Sequence, residues 1–399
     1  MVNIDQFQPL YPEIRVLDPL QEVASKIIAQ CHHLQGQAGK SITQALKPKL
    51  RAMNSYYTNK IEGQHTLPVN IERALRKEFD ADAEQAKKQR LVIAHMEVEE
   101  LLESELEKAN LKDLFNSALI RRIHRELYSR LPVEDRVTVE GKKIIPGEYR
   151  MEDVTAGRHV APPYKEVNDL ITAWSEHYHG LAGTEALLIG IACSHHRLAW
   201  MHPFIDGNGR TARLHSHLVL HAKGLTQGLW SPMRGLARTQ EDYYARLNNA
   251  DMPRRNDLDG RGALSQEELV KYAQYFLEIC LDQVNFMQQQ LNLDSLKGRL
   301  KDLLLYLQGN PWQVGSEKSL VKIDVLEALH YTAMAGPVER AKFISMTGLG
   351  DRTGRRVLAS LIDFGVLESE STRAPVIFSV PLKSLRFLFP RLWPEAEVD

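Results

Sequence analysis

The sequence predicts a mainly α-helical protein with one small β-hairpin flap and a C-terminal winged-helix domain. Three observations lead there. Apolar residues recur at helical spacing over most of the chain. That pattern gives way to β-branched, Gly and Pro residues between about 137 and 163. Near the C-terminus, three short helical patterns are followed by two short extended ones. The helical spacing predicts helices over 20–34, 91–106, 114–127, 167–179, 184–201, 210–223 and 264–307. VTVEGKKIIPGEYRMEDVTAGRHVAPP reads as the flap, with extended segments near 137–139 and 143–151 and an extended stretch ending at Pro162 and Pro163. GNPWQVGSEKS at 309–319 reads as a linker. Helices are expected beyond it at 321–332, 338–345 and 352–363, and FGVLESESTRAPVIFSV supplies two strands around a polar turn.

At 399 residues the chain is expected to hold more than one domain. The division read from it is 1–109, a helical N-terminal region; 110–308, a core; and 309–399, the winged-helix-like domain. The formal charge is −1, so no global field steers the chain to nucleic acid or anionic lipid, and any affinity for phosphate must be local. Cys31, Cys193 and Cys280 form no CxxC pair, which argues against a disulfide framework or a structural zinc site. The first twenty residues carry acids and prolines where a signal peptide has basic residues and then an apolar run. The apolar run ALLIGIA is far too short to span a membrane. A cytoplasmic location without membrane contact is the expectation.

HPFIDGNGRTAR at 202–213 concentrates the chemistry. Gly207-Asn208-Gly209 allows backbone conformations that turn successive N–H groups toward one point, an anion nest. A strongly helical stretch follows, so the nest lies at a helix N-terminus, where free N–H groups and the helix dipole favour phosphate. Arg210 and Arg213 are i,i+3 neighbours in the first turn. Cations there oppose the dipole, and an anionic ligand would offset that cost. Asp206, beside the nest, is a natural Mg2+ ligand in the company of phosphate oxygens. His202, as a neutral imidazole, could take a proton from a hydroxyl attacking phosphorus. Phe204 stiffens the approach from the core side.

The stretch resembles the signature of the Fic-domain family, HxFx(D/E)GNGRxxR, with His202, Phe204, Asp206, Gly207, Asn208, Gly209, Arg210 and Arg213 all in place. PGEYR at 146–150 through VAPP at 160–163 is similar to the family's flap, which clamps a target backbone by strand addition. HHRLAWMHPF at 195–204 is similar to the helix entering the loop. Together these cover roughly 110–290. The resemblance implies a Fic-type helical core and transfer of AMP from ATP to a Ser, Thr or Tyr hydroxyl of a protein. His202 would be the base, Asp206 would hold Mg2+, and Asn208 would position the α phosphate. Gly207 and Gly209 would line the anion hole, Arg210 and Arg213 would bind the β and γ phosphates, and Phe204 belongs to the same nucleotide-binding stretch. The target would dock along 146–163. Self-modification and a homodimer are compatible with the family.

TNKIEG at 58–63 matches the family's inhibitory motif, (S/T)xxxE(G/N). Thr58 and Glu62 are i,i+4, and Gly63 is a helix stop. A glutamate in a last helical turn opposes the macrodipole, so a distant cation is a reasonable partner. The resemblance names that cation as Arg213, kept from the γ phosphate by Glu62. In QEDYYARLNN at 240–249, Tyr244 and Asn248 are i,i+4 and resemble an adenine-contacting pair, with core packing as the other reading.

Several patterns point elsewhere. DLDGRGALSQEE at 257–268 has EF-hand register, but Arg261 occupies a ligand position, so a loop capping the next helix is expected. His217 and His221 are i,i+4 without HExxH, which favours packed or solvated histidines. The C-terminal domain holds equal numbers of basic and acidic residues, which favours docking or substrate presentation over DNA binding. Two other functions fit the same motifs: removal of AMP from a modified protein, with Glu62 orienting water, and a DNA-binding regulator that senses nucleotide.

Overall fold

The computed structural model describes residues 3–37 and 39–393. The outermost ends of the expected division, 1–2 and 394–399, lie outside the described residues. The chain forms two compact units. The first comprises residues up to 32, 51–66 and 70–285; the second comprises 33–50, 67–69 and 286 onward.

The helices in the first part of the chain are α1 (Asp18–Gln37), α2 (Lys40–Ile61), α3 (Pro68–Leu75), α4 (Ala83–Leu106), α5 (Leu111–Leu114) and α6 (Ser117–Ser129). A two-stranded hairpin follows, β1 (Thr155–Ala156) antiparallel to β2 (His159–Val160) and turned at Gly157. Then come α7 (Val167–Tyr178), α8 (Thr184–Met201), α9 (Asn208–Ala222), α10 (Met233–Arg238), α11 (Gln240–Ala250) and α12 (Gln266–Gln290).

The first unit is built round α8. All its residues from Leu187 to Leu198 are buried, polar ones included, as befits a helix enclosed on every side. It packs on α7 and α9, and α9 packs in turn on α4 and α6. Local chemistry sets the helix ends. Asn116 caps α6 by accepting from Leu119 N at 2.7 Å, and Asp82 caps α4 by accepting from Gln85 N at 2.9 Å. Burying α8 also buries Arg197, whose guanidinium donates to the Pro9 carbonyl at 2.9 and 3.1 Å and to the Ala250 carbonyl at 3.3 Å.

The second unit contains α13 (Leu293–Gly309), β3 (Gln313–Val314) with β4 (Glu317–Lys318), α14 (Leu326–Ala335), α15 (Arg340–Met346) and α16 (Asp351–Phe364). It closes with β5 (Leu367–Glu368) antiparallel to β6 (Ile377–Phe378), and α17 (Leu385–Leu388). Its core takes Leu300, Leu303 and Leu307 from α13 and Val357, Leu361 and Phe364 from α16.

Three expectations need correction. The helix expected over 264–307 is two helices, because Asn292 breaks the run and caps α13 by accepting from Ser295 N at 3.3 Å. The stretch 309–319 is an ordered hairpin rather than a linker. Trp312 packs tilted against Phe364, ring centroids 5.5 Å apart, and donates to Asp363 at 2.7 Å. The flap's paired strands lie at 155–160, not 143–151; the earlier part makes a single bridge, Val137 to Lys143. There the chain is held by other partners, since Arg150 N donates to the Pro203 carbonyl at 2.9 Å. The helix ending in TNKIEG, for which the sequence set no start, begins at Lys40.

Candidate functional site

The loop between α8 and α9 begins at His202, which ends α8 in a left-handed backbone conformation, φ 46°. That reversal costs a residue with a Cβ some strain and turns the imidazole out of the helix direction. Asn208 then closes the loop on itself: its amide donates to the Phe204 carbonyl and accepts from Phe204 N, both at 2.8 Å. Gly207 caps α9 at φ 78°, where a Cβ would overlap the Tyr128 ring. A Cβ on Gly209 would overlap the Glu62 carboxylate. Gly207 is therefore required by close approach as well as by conformation, while Gly209, inside α9, is constrained only by the approach of Glu62.

A cavity of about 510 Å³ opens over this helix end. His202, Asn208, Gly209 and Arg213 line it from the loop and α9, and Glu62 faces them. The flap contributes Ala156 to His159, α8 contributes His196 and Trp200, and α11 contributes Tyr243, Tyr244 and Asn248. The structure thus brings together most of the residues singled out in the sequence. Tyr244 is on the cavity wall and donates to the Ile61 carbonyl at 2.8 Å. Its neighbour Tyr243 is more buried, with its hydroxyl 2.8 Å from His195 Nε2.

Six predicted residues do not line it: Thr58, Gly63, Phe204, Asp206, Gly207 and Arg210. Phe204 is fully buried and stacks on His124 with ring centroids 3.9 Å apart and planes 2° apart. Arg210 is buried and donates to the Tyr128 hydroxyl at 2.8 Å, 3.5 Å from the Asp206 carboxylate. Asp206 is about a third exposed and accepts from Gly207 N at 2.6 Å.

Glu62 reaches across to Arg213. Its carboxylate accepts from Arg213 Nη2, while Thr58 Oγ1 accepts from Arg213 Nε at 2.8 Å and the Thr58 carbonyl from Nη2 at 3.2 Å. Arg213 is fully buried. Burial alone would lower its pKa, but the adjacent Glu62 charge and Tyr243 raise it, so the guanidinium stays charged. Gly63, at φ 68°, ends the helix just after Glu62.

His202 is tuned in the opposite direction. Burial, then the positive charges of His159 and Arg150, lower its pKa to about 4, so the ring is neutral near pH 7.

Sequence reasoning missed several residues that hold this geometry. His124 Nδ1 accepts from Gly147 N at 2.9 Å and its Nε2 donates to the Asp206 carbonyl at 3.1 Å, tying flap to loop. Arg150 is buried and donates to the carbonyls of His202 at 2.8 Å, Glu152 at 2.9 Å and Pro162. Asp251 receives His159 Nδ1 at 3.0 Å and His196 Nε2 at 3.1 Å. The only sequence signal was Arg150's place inside PGEYR; the others are joined by non-local contacts.

The remaining patterns have structural employment. Asp259 accepts from Glu267 N at 2.8 Å and Arg255 N at 3.1 Å, capping the turn before α12. His215 donates to the Leu114 carbonyl at 2.8 Å and packs on Phe115 and Trp174. His217 lies 2.9 Å from Glu103, with His221 nearby, and Arg51 pairs the same carboxylate at 2.8 Å. Among the described residues, no helix is long and apolar enough to cross a membrane.

Known proteins share the fold and a family domain that spans this loop. The Fic/DOC family matches residues 114–220. A protein adenylyltransferase Fic from Nematostella vectensis is 28% identical over 254 residues, 61% of this chain and 53% of the relative. A protein adenylyltransferase fic-1 from Caenorhabditis briggsae is 30% identical over 143 residues, 34% of this chain and 27% of the relative. The chain thus spans about half or less of the length of these curated relatives. A Fic family protein from Desulfovibrio desulfuricans G20 has a similar fold, with TM-score 0.52 and 18% identity over 94% of this chain and 99% of that one. Fic-1 from Caenorhabditis elegans has TM-score 0.50 and 18% identity over 69% of this chain and 74% of that one. Residues 114–220 are thus a Fic/DOC family domain, set in a chain similar in sequence to proteins named protein adenylyltransferase Fic.

Proposed function

We propose that this chain transfers AMP from ATP to a hydroxyl side chain of a protein and is held in check by Glu62. The observation that carries the reading is the cavity over the α9 N-terminus, where His202, Gly209 and Arg213 share one space and Glu62 occupies the approach to Arg213.

The triphosphate of ATP would lie against the N–H groups of that helix end, with Arg213 on its far phosphates. Arg210 supports the loop from behind through Tyr128 and Asp206. The neutral His202 ring takes the proton of the incoming hydroxyl, whose oxygen bonds to the α phosphorus while the bond to the leaving pyrophosphate breaks. Tyr244 and Asn248 offer the adenine contacts. Asp206, a partly exposed carboxylate beside an anion site, fits Mg2+, which takes one or two carboxylates plus phosphate oxygens and waters. Bound there, Mg2+ would neutralise phosphate charge.

With Glu62 in place, Arg213 is engaged by a carboxylate and by Thr58, so a γ phosphate must compete for it. The reverse reaction, removal of AMP with Glu62 orienting a water, draws on the same observation, since Glu62 lines the cavity. The C-terminal unit suits docking better than DNA contact, because Arg355 pairs with Asp351 and Arg356 with Glu317, each at 2.7 Å. The proposed division of labour is an inhibitory N-terminal region to 109, the catalytic core at 110–308, and a winged-helix-like docking domain from 309.

The test is label transfer from α-labelled ATP with Mg2+. Glu62→Gly is expected to raise protein labelling at least about tenfold, the equivalent of ~1.4 kcal/mol. Adding His202→Ala is expected to lower it by roughly 10²–10⁴-fold. Equal labelling in parent and Glu62→Gly would remove the inhibitory role; labelling that survives His202→Ala would remove the base.

A further inference from the structure

His159 stands on β2 where the flap meets the cavity rim. Its Nε2 lies 2.7 Å from the Trp200 carbonyl oxygen and its Nδ1 lies 3.0 Å from Asp251 Oδ2. A carbonyl and an ionised carboxylate only accept, so both ring nitrogens must carry hydrogen, and the ring that satisfies both partners is the imidazolium. His196, on the same carboxylate, is different. Its Nδ1 accepts from Arg197 Nη1 at 2.7 Å and its Nε2 faces Asp251 Oδ1 and the Leu247 carbonyl, each at 3.1 Å, so it is satisfied as the neutral ring. The Asp251 charge is therefore matched by His159.

The other charged or titratable groups acting on His159 are few. Arg150 at the flap base opposes its protonation. His202 across the cavity is neutral near pH 7. Burial would also lower the His159 pKa, but Asp251 and the Trp200 carbonyl raise it. Asp251, which burial would raise, is held well below the usual carboxylate range by the two histidines.

The hairpin this ring anchors consists of two residue pairs, with Val160 73% exposed. Such a hairpin has little stability of its own and depends on its anchors. We propose that His159, as an imidazolium, is the positioning residue that fixes the flap at the cavity rim, so that presentation of a target segment to His202 follows its protonation while nucleotide binding does not. Loss of the proton leaves one ring nitrogen lone pair facing an acceptor, and the anchor becomes repulsive on that side. The role in presentation rests on the AMP-transfer reading; the anchor itself does not.

The experiment uses the full chain. Hydrogen exchange of the amides at 155–161, corrected for base-catalysed intrinsic rates, is followed on either side of the His159 titration measured by NMR. The midpoint is expected above the ordinary imidazole value of about 6.5. Above it, flap exchange is expected to rise at least about tenfold. His159→Arg, charged and with more than one donor at any working pH, keeps the flap protected on both sides, whereas His159→Gln leaves it fast on both. Protection that ignores pH in the parent, or that is the same in His159→Gln as in the parent, overturns the anchor. In the Glu62→Gly background, His159→Gln is expected to slow self-labelling at least about tenfold and leave ATP affinity within about twofold. Equal loss of ATP affinity overturns the positioning role. Absence of label in every variant defeats the AMP-transfer reading and leaves the exchange result to decide the anchor.

Discussion

The loop at 202–209 and the flap at 137–163 border the same cavity but are held by opposite means. The loop is closed by its own residues: Asn208 clasps Phe204 four positions away, and Gly207 supplies the turn. The flap is held from a distance, by Arg150 on carbonyls of the loop, His124 on Gly147, and His159 on Asp251. A self-closed element keeps its shape while its surroundings move. A distantly tethered one can be released by a single side chain, which suits a part that must admit and expel a protein segment.

This contrast can be broken most severely at Arg150. Arg150→Ala strips a charged donor from several buried carbonyls and is expected to cost about 3 kcal/mol of stability, read by chemical denaturation. A loss under ~1 kcal/mol would mean that the flap holds itself. Next comes Gly207→Ala, which places a Cβ on the Tyr128 ring at positive φ. The expected cost is about 2 kcal/mol. If denaturation shows none, the loop is less self-determined than its hydrogen bonds suggest.

Thr58→Ala is a smaller perturbation. It removes one hydrogen bond to Arg213 and leaves Glu62, so labelling is expected to rise about fivefold, the worth of ~1 kcal/mol. A rise equal to that of Glu62→Gly would put the inhibitory weight on Thr58 instead. The mildest test is pH. With the His202 pKa lowered to about 4, the ring stays neutral as pH falls, and labelling by Glu62→Gly carrying His159→Arg, whose flap charge does not titrate, should be nearly flat from pH 7 to 5.5. An ordinary imidazole would lose roughly eightfold of its neutral form over that interval, and a fall of that size would show that burial does not tune this ring.

The same contrast explains what could be read in advance. The loop was legible because its glycines, asparagine, cations and imidazole are consecutive and each is explained by its neighbours. Glu62 was legible as a helix-end carboxylate, but its pairing with Arg213 came from the family resemblance. Several helices could be placed from apolar spacing, α8 at the residues expected, whereas α2 was not placed and α12 and α13 were read as one. What escaped was non-local. No local pattern in 137–163 reveals that Arg150 spends its donors on His202 and Pro162, so the extended GEYR segment passed for a strand. Trp312 and Asp363 similarly turn an apparent linker into a hairpin, and their pairing is invisible until α16 is in place. Arg210 and Phe204 were expected in the nucleotide-binding stretch, yet neither lines the cavity: Arg210 is buried in α9 and Phe204 in the loop.

Arg197 gives the chain's proline-bearing start a meaning that its sequence does not advertise. The Arg197 guanidinium on α8 rests on the carbonyl of Pro9, so the segment before α1 works as a stopper seated against a buried helix. A fragment trimmed to begin at Asp18 would retain every motif residue and yet uncork a buried cation five residues from His202.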